Sequence, residues 1–276
     1  MIQIKVFYVN ELRVCCYLLW DETKETVLVD PGCYSFSEQE RLIKFIDREK
    51  LRPLCVVNTH AHFDHVMGNA FVCRTYKIKT YIHPKEQSAL EYADKYCRVF
   101  GMEIEKPPID TLPLGEAEPL TFGYSALQVL ETPGHSPGGI CLYAPHSNLQ
   151  TPVGNLSALH SNLSASADHL SSLHSNPHAS ADHLSSPHSN PHASADNLSA
   201  PQDGFLITGD TLFAGSIGRT DLPGGDYNQL IASIQTKLFP LDDSLRILPG
   251  HGPESTLGYE RLHNPFLVPN PRGTYL

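Results

Sequence analysis

Seven side chains in this sequence are of the types and spacings that could hold metal ions. Four sit in one loop, Thr59-His60-Ala61-His62-Phe63-Asp64-His65, where His60, His62, Asp64 and His65 could feed two adjacent ions from opposite sides. His135, in Thr132-Pro133-Gly134-His135, and His251, in Pro249-Gly250-His251-Gly252, each follow a Pro-Gly step. Glycine there lets the backbone come close to an ion. Asp210, in Gly209-Asp210-Thr211, repeats the arrangement with a carboxylate. A run of the form HxHxDH arises by chance in roughly 1 of 400 chains of this kind, so the loop is a specific signal. Imidazole and carboxylate without thiolate suit divalent zinc first, with iron or manganese as alternatives. Seven donors exceed one tetrahedral site, so two ions bridged by a carboxylate and a water are expected. Such a pair, ~3.5–4 Å apart, brings the shared water near neutral pKa and polarises a carbonyl. Asp64 is counted as both a ligand and a catalytic residue. Bound metal would keep Asp64 and Asp210 ionised, so neither is an obvious proton donor.

The elements that must position these residues alternate. Residues 2–8, 13–20 and 26–29 read as strands ending in the turn Asp30-Pro31-Gly32. Ser35 with Glu38 forms a capping box for a helix to about Glu49, whose Leu42, Ile43, Phe45 and Ile46 have helical spacing. Residues 54–57 suit a buried strand, and a helix is expected from Asp64 to about Tyr76. A strand at 80–83 precedes Pro84, which opens a helix to about Phe100. Residues 127–130 and 247–248 are strands that run into the two Pro-Gly-His turns, and 226–238 reads as helix. Alternation of this kind is the pattern of a layered α/β domain, with the donors at carboxyl ends of strands, where ligands usually collect.

One block stands apart. PHSN or LHSN recurs at 145, 159, 173 and 187, and NLSA or HLSS keeps the same 14-residue register, so residues 145–200 are four tandem units. They contain no Lys or Arg and little apolar surface, so this insertion into a single domain spanning 1–276 is expected to be disordered. Eight of the 15 histidines lie in it, as copies of one duplicated unit. The strands at 138–144 and 204–208 read as a hairpin with the repeat at its tip. At ~3.3 Å per residue, that tip lies about 20–30 Å from His135 and Asp210. Five of the other seven histidines fall in the metal motifs; His83 and His263 read as packing or surface residues.

Net charge is −10 with no Lys/Arg run, which excludes a nucleic-acid backbone as the main partner. Seven cysteines without a CxxC pair read as buried free thiols in a reducing compartment. The absence of a signal-like start and of any apolar stretch near 18 residues points to the cytoplasm and away from a membrane. The expected partner is a small-molecule substrate.

These motifs resemble the metallo-β-lactamase superfamily, whose signature is HxHxDH followed by later His, Asp and His. The likeness runs from about Ile4 to Leu267 with the repeat as an insertion, and Asp30 in Val-Asp-Pro-Gly matches the family's structural aspartate. The resemblance implies a four-layer αββα sandwich. It places His60, His62 and His135 on one ion and Asp64, His65 and His251 on the other, with Asp210 bridging. Residues 208–221, Pro249–Pro253 and Asn264–Leu267 are most similar to the short glyoxalase II-like (hydroxyacylglutathione hydrolase-like) branch. That implies hydrolysis of an acyl thioester of the S-lactoylglutathione type by a metal-bridging hydroxide. Zinc β-lactamases of the commonest class have a cysteine where Asp210 stands, which ranks β-lactams lower. Only 25 residues follow His251, too few for the helical domain with which full-length glyoxalase II grips glutathione. Two alternatives stand beside this reading. One is a mononuclear-iron persulfide dioxygenase, whose members share a Gly-Arg-Thr-Asp stretch like Gly218–Asp221. The other is a non-enzymatic metal-binding or interaction protein using the His-rich repeat. Arg219 and Asp221, two apart in a Gly-rich loop, read as a local brace.

Overall fold

The computed structural model describes residues 1–145, 198–199 and 204–268; the rest of the repeat lies outside the described residues. All described residues fall in one compact unit, Met1–Asn148 with Asp196–Leu276. The strands are β1 (Gln3–Val9), β2 (Val14–Trp20), β3 (Glu25–Val29), β4 (Arg52–Val57), β5 (Lys79–Ile82), β6 (Leu112–Pro113), β7 (Leu120–Phe122), β8 (Ser125–Glu131), β9 (Ile140–Ala144), β10 (Leu198–Ser199), β11 (Phe205–Gly209), β12 (Leu212–Phe213), β13 (Ser216–Ile217), β14 (Arg246–Pro249) and β15 (Ser255–Thr256). The helices are α1 (Phe36–Glu49), α2 (Phe63–Val66), α3 (Asn69–Tyr76), α4 (Gln87–Tyr96), α5 (Tyr227–Ser233) and α6 (Leu257–His263). One sheet has the order β10-β1-β2-β3-β4-β5-β6 and the other β15-β14-β11-β9-β8-β7, with β12 and β13 as a separate ribbon.

The layering follows from side-chain alternation. All seven residues of β2 are buried. Cys15, Tyr17 and Leu19 face the second sheet's Leu127, Val129, Leu142 and Ile207. Cys16, Leu18 and Trp20 face the other way, against Leu42, Phe45 and Ile46 of α1 and Val72 of α3. On the far side, Leu206 and Ile247 pack under Leu230 and Ile231 of α5 and Leu257 of α6. The four layers are therefore helix, sheet, sheet, helix, as the resemblance implied. α1 carries the expected capping box, Ser35 receiving the Glu38 amide and Glu38 the Ser35 amide.

Two expected helices are interrupted. The one anticipated over 64–76 is split into α2 and α3 around Met67 and Gly68. The Gly68 amide leaves the helical ladder to bond Pro31 O at 2.8 Å, and a Cβ at Gly68 would lie 2.2 Å from that oxygen. Close contact with the turn after β3 therefore decides the break. The helix after Pro84 begins and ends in 3₁₀ turns, Pro84–Glu86 and Cys97–Phe100, around α4.

β9 and β11 are antiparallel neighbours, with Ala144 opposite Phe205. The chain between them therefore leaves from the end of this pair opposite to His135 and Asp210. Within the fourth repeat unit, Leu198 and Ser199 pair with Lys5 and Ile4 on the edge of β1, so the repeat's last residues include a short strand. Deleting 145–200 leaves residues 201–204 as a four-residue turn between Ala144 and Phe205. Turns of that length suit hairpins. The deleted protein is expected to keep its metal content and to hydrolyse within about threefold of the full chain, because loop tips far from a site tolerate removal. Metal analysis and initial rates check this; loss of metal would place the repeat at the site.

At the same end of the sandwich as Ala144, the buried Asp21 carboxylate joins the two sheets. It accepts from the Thr23 amide (2.9 Å) and hydroxyl (2.6 Å), the Tyr124 amide (2.7 Å) and the Ser125 hydroxyl (2.9 Å). Burial alone would raise its pKa, but these donors together hold it below the usual carboxylate range. A depressed folded-state pKa stabilises the fold above the unfolded carboxylate pKa, and the contribution fades as pH falls through the folded value. Asp21→Asn is expected to lower stability by about 1–3 kcal/mol at neutral pH. Denaturant unfolding should show the gap from wild type narrowing below about pH 4.

Candidate metal centre

Five strand ends meet at one edge of the two sheets. Asp30 follows β3, the four-donor loop follows β4, His135 follows β8, Asp210 follows β11 and His251 follows β14. The sheets are tied together there: Ile140 N donates to Thr59 O (3.0 Å), Cys15 N to Gly250 O (2.8 Å) and the Tyr17 hydroxyl to Pro249 O (2.8 Å). The approach at Gly250 is close enough that a Cβ would stand 2.2 Å from Asp210 Oδ1, which accounts for the glycine before His251.

All seven expected donors converge. His135 Nε2 lies 2.8 Å from His62 Nδ1 and 3.3 Å from His60 Nε2. His251 Nε2 lies 3.2 Å from His65 Nε2 and 3.3 Å from Asp64 Oδ2, with His65 Nε2 3.8 Å from the same oxygen. Each trio forms a group able to hold an ion. Asp210 stands between them. Its Oδ2 is 3.5 Å from His135 Nε2 and 3.7 Å from His251 Nε2, and its Oδ1 is 3.4 Å from His65 Nε2.

The outward nitrogens fix which face of each ring is a donor. His135 Nδ1–H donates to Arg219 O (2.7 Å), His251 Nδ1–H to Leu12 O (2.9 Å) and His65 Nδ1–H to Asp30 Oδ2 (3.0 Å). The Thr59 hydroxyl donates to Asp30 Oδ2 (2.6 Å), so its oxygen accepts from His60 Nδ1–H at 3.1 Å. These tautomers, assigned from the network, turn four Nε2 lone pairs inward. With two carboxylates they make a cluster of acceptors facing acceptors. Asp210 Oδ1 is buried with no hydrogen-bond partner among the described residues. Such a cluster is stable only with positive charge at its centre, and the donor set fits divalent metal.

The electrostatics agree. Burial, followed by the neighbouring imidazoles, pushes His60 far down and His62 down to about 4, so both are neutral. Burial would also lower His65 and His251, but the carboxylates around them win and raise both, Asp210 foremost for His65 and Asp64 for His251. Burial would raise Asp64 and Asp210, yet the imidazoles, His65 foremost, hold both carboxyls low. Raised imidazoles beside depressed carboxyls mark a centre that favours positive charge, which a bound ion would supply.

Asp30 anchors this end. Its buried carboxylate takes the Thr59 amide (2.8 Å) as well as the Thr59 hydroxyl and His65. Glu86, unmarked by any motif, is fully buried and accepts from Ala61 N (2.9 Å) and Gly138 N (2.7 Å). It thereby clamps the four-donor loop to the turn carrying His135. Its partners are 25 and 52 residues away in sequence, so no local pattern marks it. Arg219 and Asp221 form the expected brace, with two bonds of 2.8 and 2.7 Å. His83 packs beside Glu131 (3.5 Å) and His263 against Tyr259, and neither belongs to a donor trio. All seven cysteines are buried and form no disulfide. Among the described residues no helix is long and apolar enough to cross a membrane.

The profile of the metallo-beta-lactamase superfamily matches residues 9–149 and 180–251. The chain is 29% identical over 270 residues to the hydroxyacylglutathione hydrolase GloC of Haemophilus influenzae, covering 96% of this chain and 97% of that one. Among solved structures it is similar to the BLEG-1 B3 metallo-beta-lactamase, with a TM-score of 0.68, 32% identity and coverage of 97% of this chain and 100% of the other. It is also similar to TTHA1623, solved in a di-iron-bound form, with a TM-score of 0.66, 31% identity and coverage of 95% and 99%.

Proposed function

Because the chain belongs to the metallo-beta-lactamase superfamily of metal-dependent hydrolases, we propose that it hydrolyses an acyl thioester at a centre of two divalent ions. The observation that carries this reading is the pair of donor trios sharing Asp210. His60, His62 and His135 would hold one ion, Asp64, His65 and His251 the other, and Asp210 both. When bound, the ions supply an activated water at neutral pH and polarise the substrate carbonyl.

The protein's own residues do the positioning. Asp30, Leu12 O, Arg219 O and Thr59 orient the rings, and Glu86 holds the two loops in register. Asp64 is ionised, so it can take a proton and hold a ligand position but cannot serve as the acid. A thioester suits a site without a dedicated acid, since a thiolate with pKa near ~8.5 leaves unprotonated. GloC's name supports a glutathione thioester as one candidate substrate, and BLEG-1's supports a β-lactam amide, whose nitrogen needs protonation on leaving. The complete second donor trio favours hydrolysis over a single-iron dioxygenase, which needs only two histidines and one carboxylate.

The test is thiol release from S-lactoylglutathione and simple acyl thioesters, run beside a chromogenic β-lactam and oxygen uptake with glutathione persulfide. Thiol release dominating the other two supports the reading. Oxygen uptake or β-lactam opening without thiol release overturns it.

A further inference from the structure

The four-donor loop carries an aromatic residue between two of its donors. Phe63, between His62 and Asp64, stacks on Phe100 with ring centres 4.9 Å apart and planes 23° apart. Tyr96 closes the cluster edge-on, 6.0 Å from Phe63 and 5.6 Å from Phe100. α2 packs on α4, and Ile82, Leu90, Met102 and Ile104 complete the apolar base. On the outer side the cluster ends in solvent at Phe100, 55% exposed, with its chain neighbour Val99 77% exposed. The aromatic wall is thus joined to the first donor trio through Phe63, the residue that follows His62.

Scattered exposed apolar residues need no explanation, but a stacked patch continuous with a reactive site does. Its charge environment narrows what it could bind. Of the cations near it, Arg219 is taken up by its two bonds to Asp221 and Lys95 lies over the Tyr92 ring, while Arg98 is exposed on the same turn as Phe100, so what the wall itself offers is apolar contact rather than a built anion site. We propose that this wall binds an apolar substituent of the substrate, one of the two groups flanking the scissile carbonyl. The enzyme then prefers thioesters bearing aliphatic or aryl groups over those bearing small or charged ones. This inference rests on the thioester reading above and deepens it.

The experiment measures kcat/KM on the metal-loaded full chain. One series varies the acyl group (acetyl, butyryl, hexanoyl, phenylacetyl, and a hexanoyl analogue ending in carboxylate) on a fixed thiol, and a second varies the thiol on a fixed acyl group. In one of the series kcat/KM should rise by about tenfold from the smallest to the longest apolar group, and the charged analogue of the acyl series should not exceed acetyl. Phe100→Ala and Val99→Ser should collapse that ratio towards one. A folding defect would instead lower all substrates in proportion and leave the ratio intact. A flat profile in both series, or a ratio unchanged in both variants, overturns the proposal while leaving the thioesterase reading standing. Failure to hydrolyse any thioester removes the reading itself.

Discussion

Replacing Asp210 by Ala is expected to cost both ions and, with them, hydrolysis by on the order of 10³-fold or more. The reason is positional. Asp210 contributes one oxygen toward His65 and the other toward both His135 and His251, so it stands between the two trios. Each trio alone is one donor short of a closed four-coordinate site before water is counted. The fold has less at stake. Among the described residues Asp210 Oδ1 has no hydrogen-bond partner; the side chain's polar neighbours are imidazoles, and Gly250 packs against the same oxygen. In the presence of chelator, Asp210→Ala should therefore unfold within a few degrees of wild type, at about the scatter of surface substitutions. Added metal should raise the wild-type transition and not the variant's, because only a ligand that binds the folded state stabilises it. Metal analysis and thermal unfolding with and without zinc check both halves. A variant that keeps two ions and full activity would remove Asp210 from the centre.

The second large effect is at Asp30, which is not a proposed ligand but bonds one, His65. Asp30→Asn keeps the size of the side chain and suits the left-handed backbone there, at φ 47. It removes the charge that receives His65 Nδ1–H and places an amide where two donors of Thr59 already point. His65 loses its orienting acceptor, and His60 loses the fixed Thr59 hydroxyl behind it. Losing such an outer partner weakens metal binding by about 10–100-fold. The loss should be larger for the trio of Asp64, His65 and His251 than for that of His60, His62 and His135. Competitive titration with a chromogenic chelator would resolve the two affinities, and equal weakening of both would contradict this division.

How much of this was legible in the sequence depends on how local each feature is. The seven donors stood out because HxHxDH, two Pro-Gly-His turns and Gly-Asp each carry their signal within a few residues. The apolar run of β2 and the capping box of α1 were equally local, while the four layers were implied by the family resemblance. What escaped was set by distant contacts. Gly68 breaks a helix because Pro31 O competes for its amide, and Glu86 matters because Ala61 and Gly138 point at it. Two of the ring-orienting acceptors, Leu12 O and Arg219 O, are backbone atoms, which no residue type announces. The aromatic wall was hidden for a related reason, since Phe63 meets Phe100 only once α2 lies on α4.

The central claim is that two ions held by these seven side chains hydrolyse a thioester. Its most direct test titrates zinc into the metal-free full chain while bound metal and thiol release from an acyl thioester are followed together. The account predicts saturation at two ions per chain, with thiol release rising until both are bound. Saturation at one ion per chain, with oxygen consumed on a persulfide and no thiol released from the thioester, would contradict it.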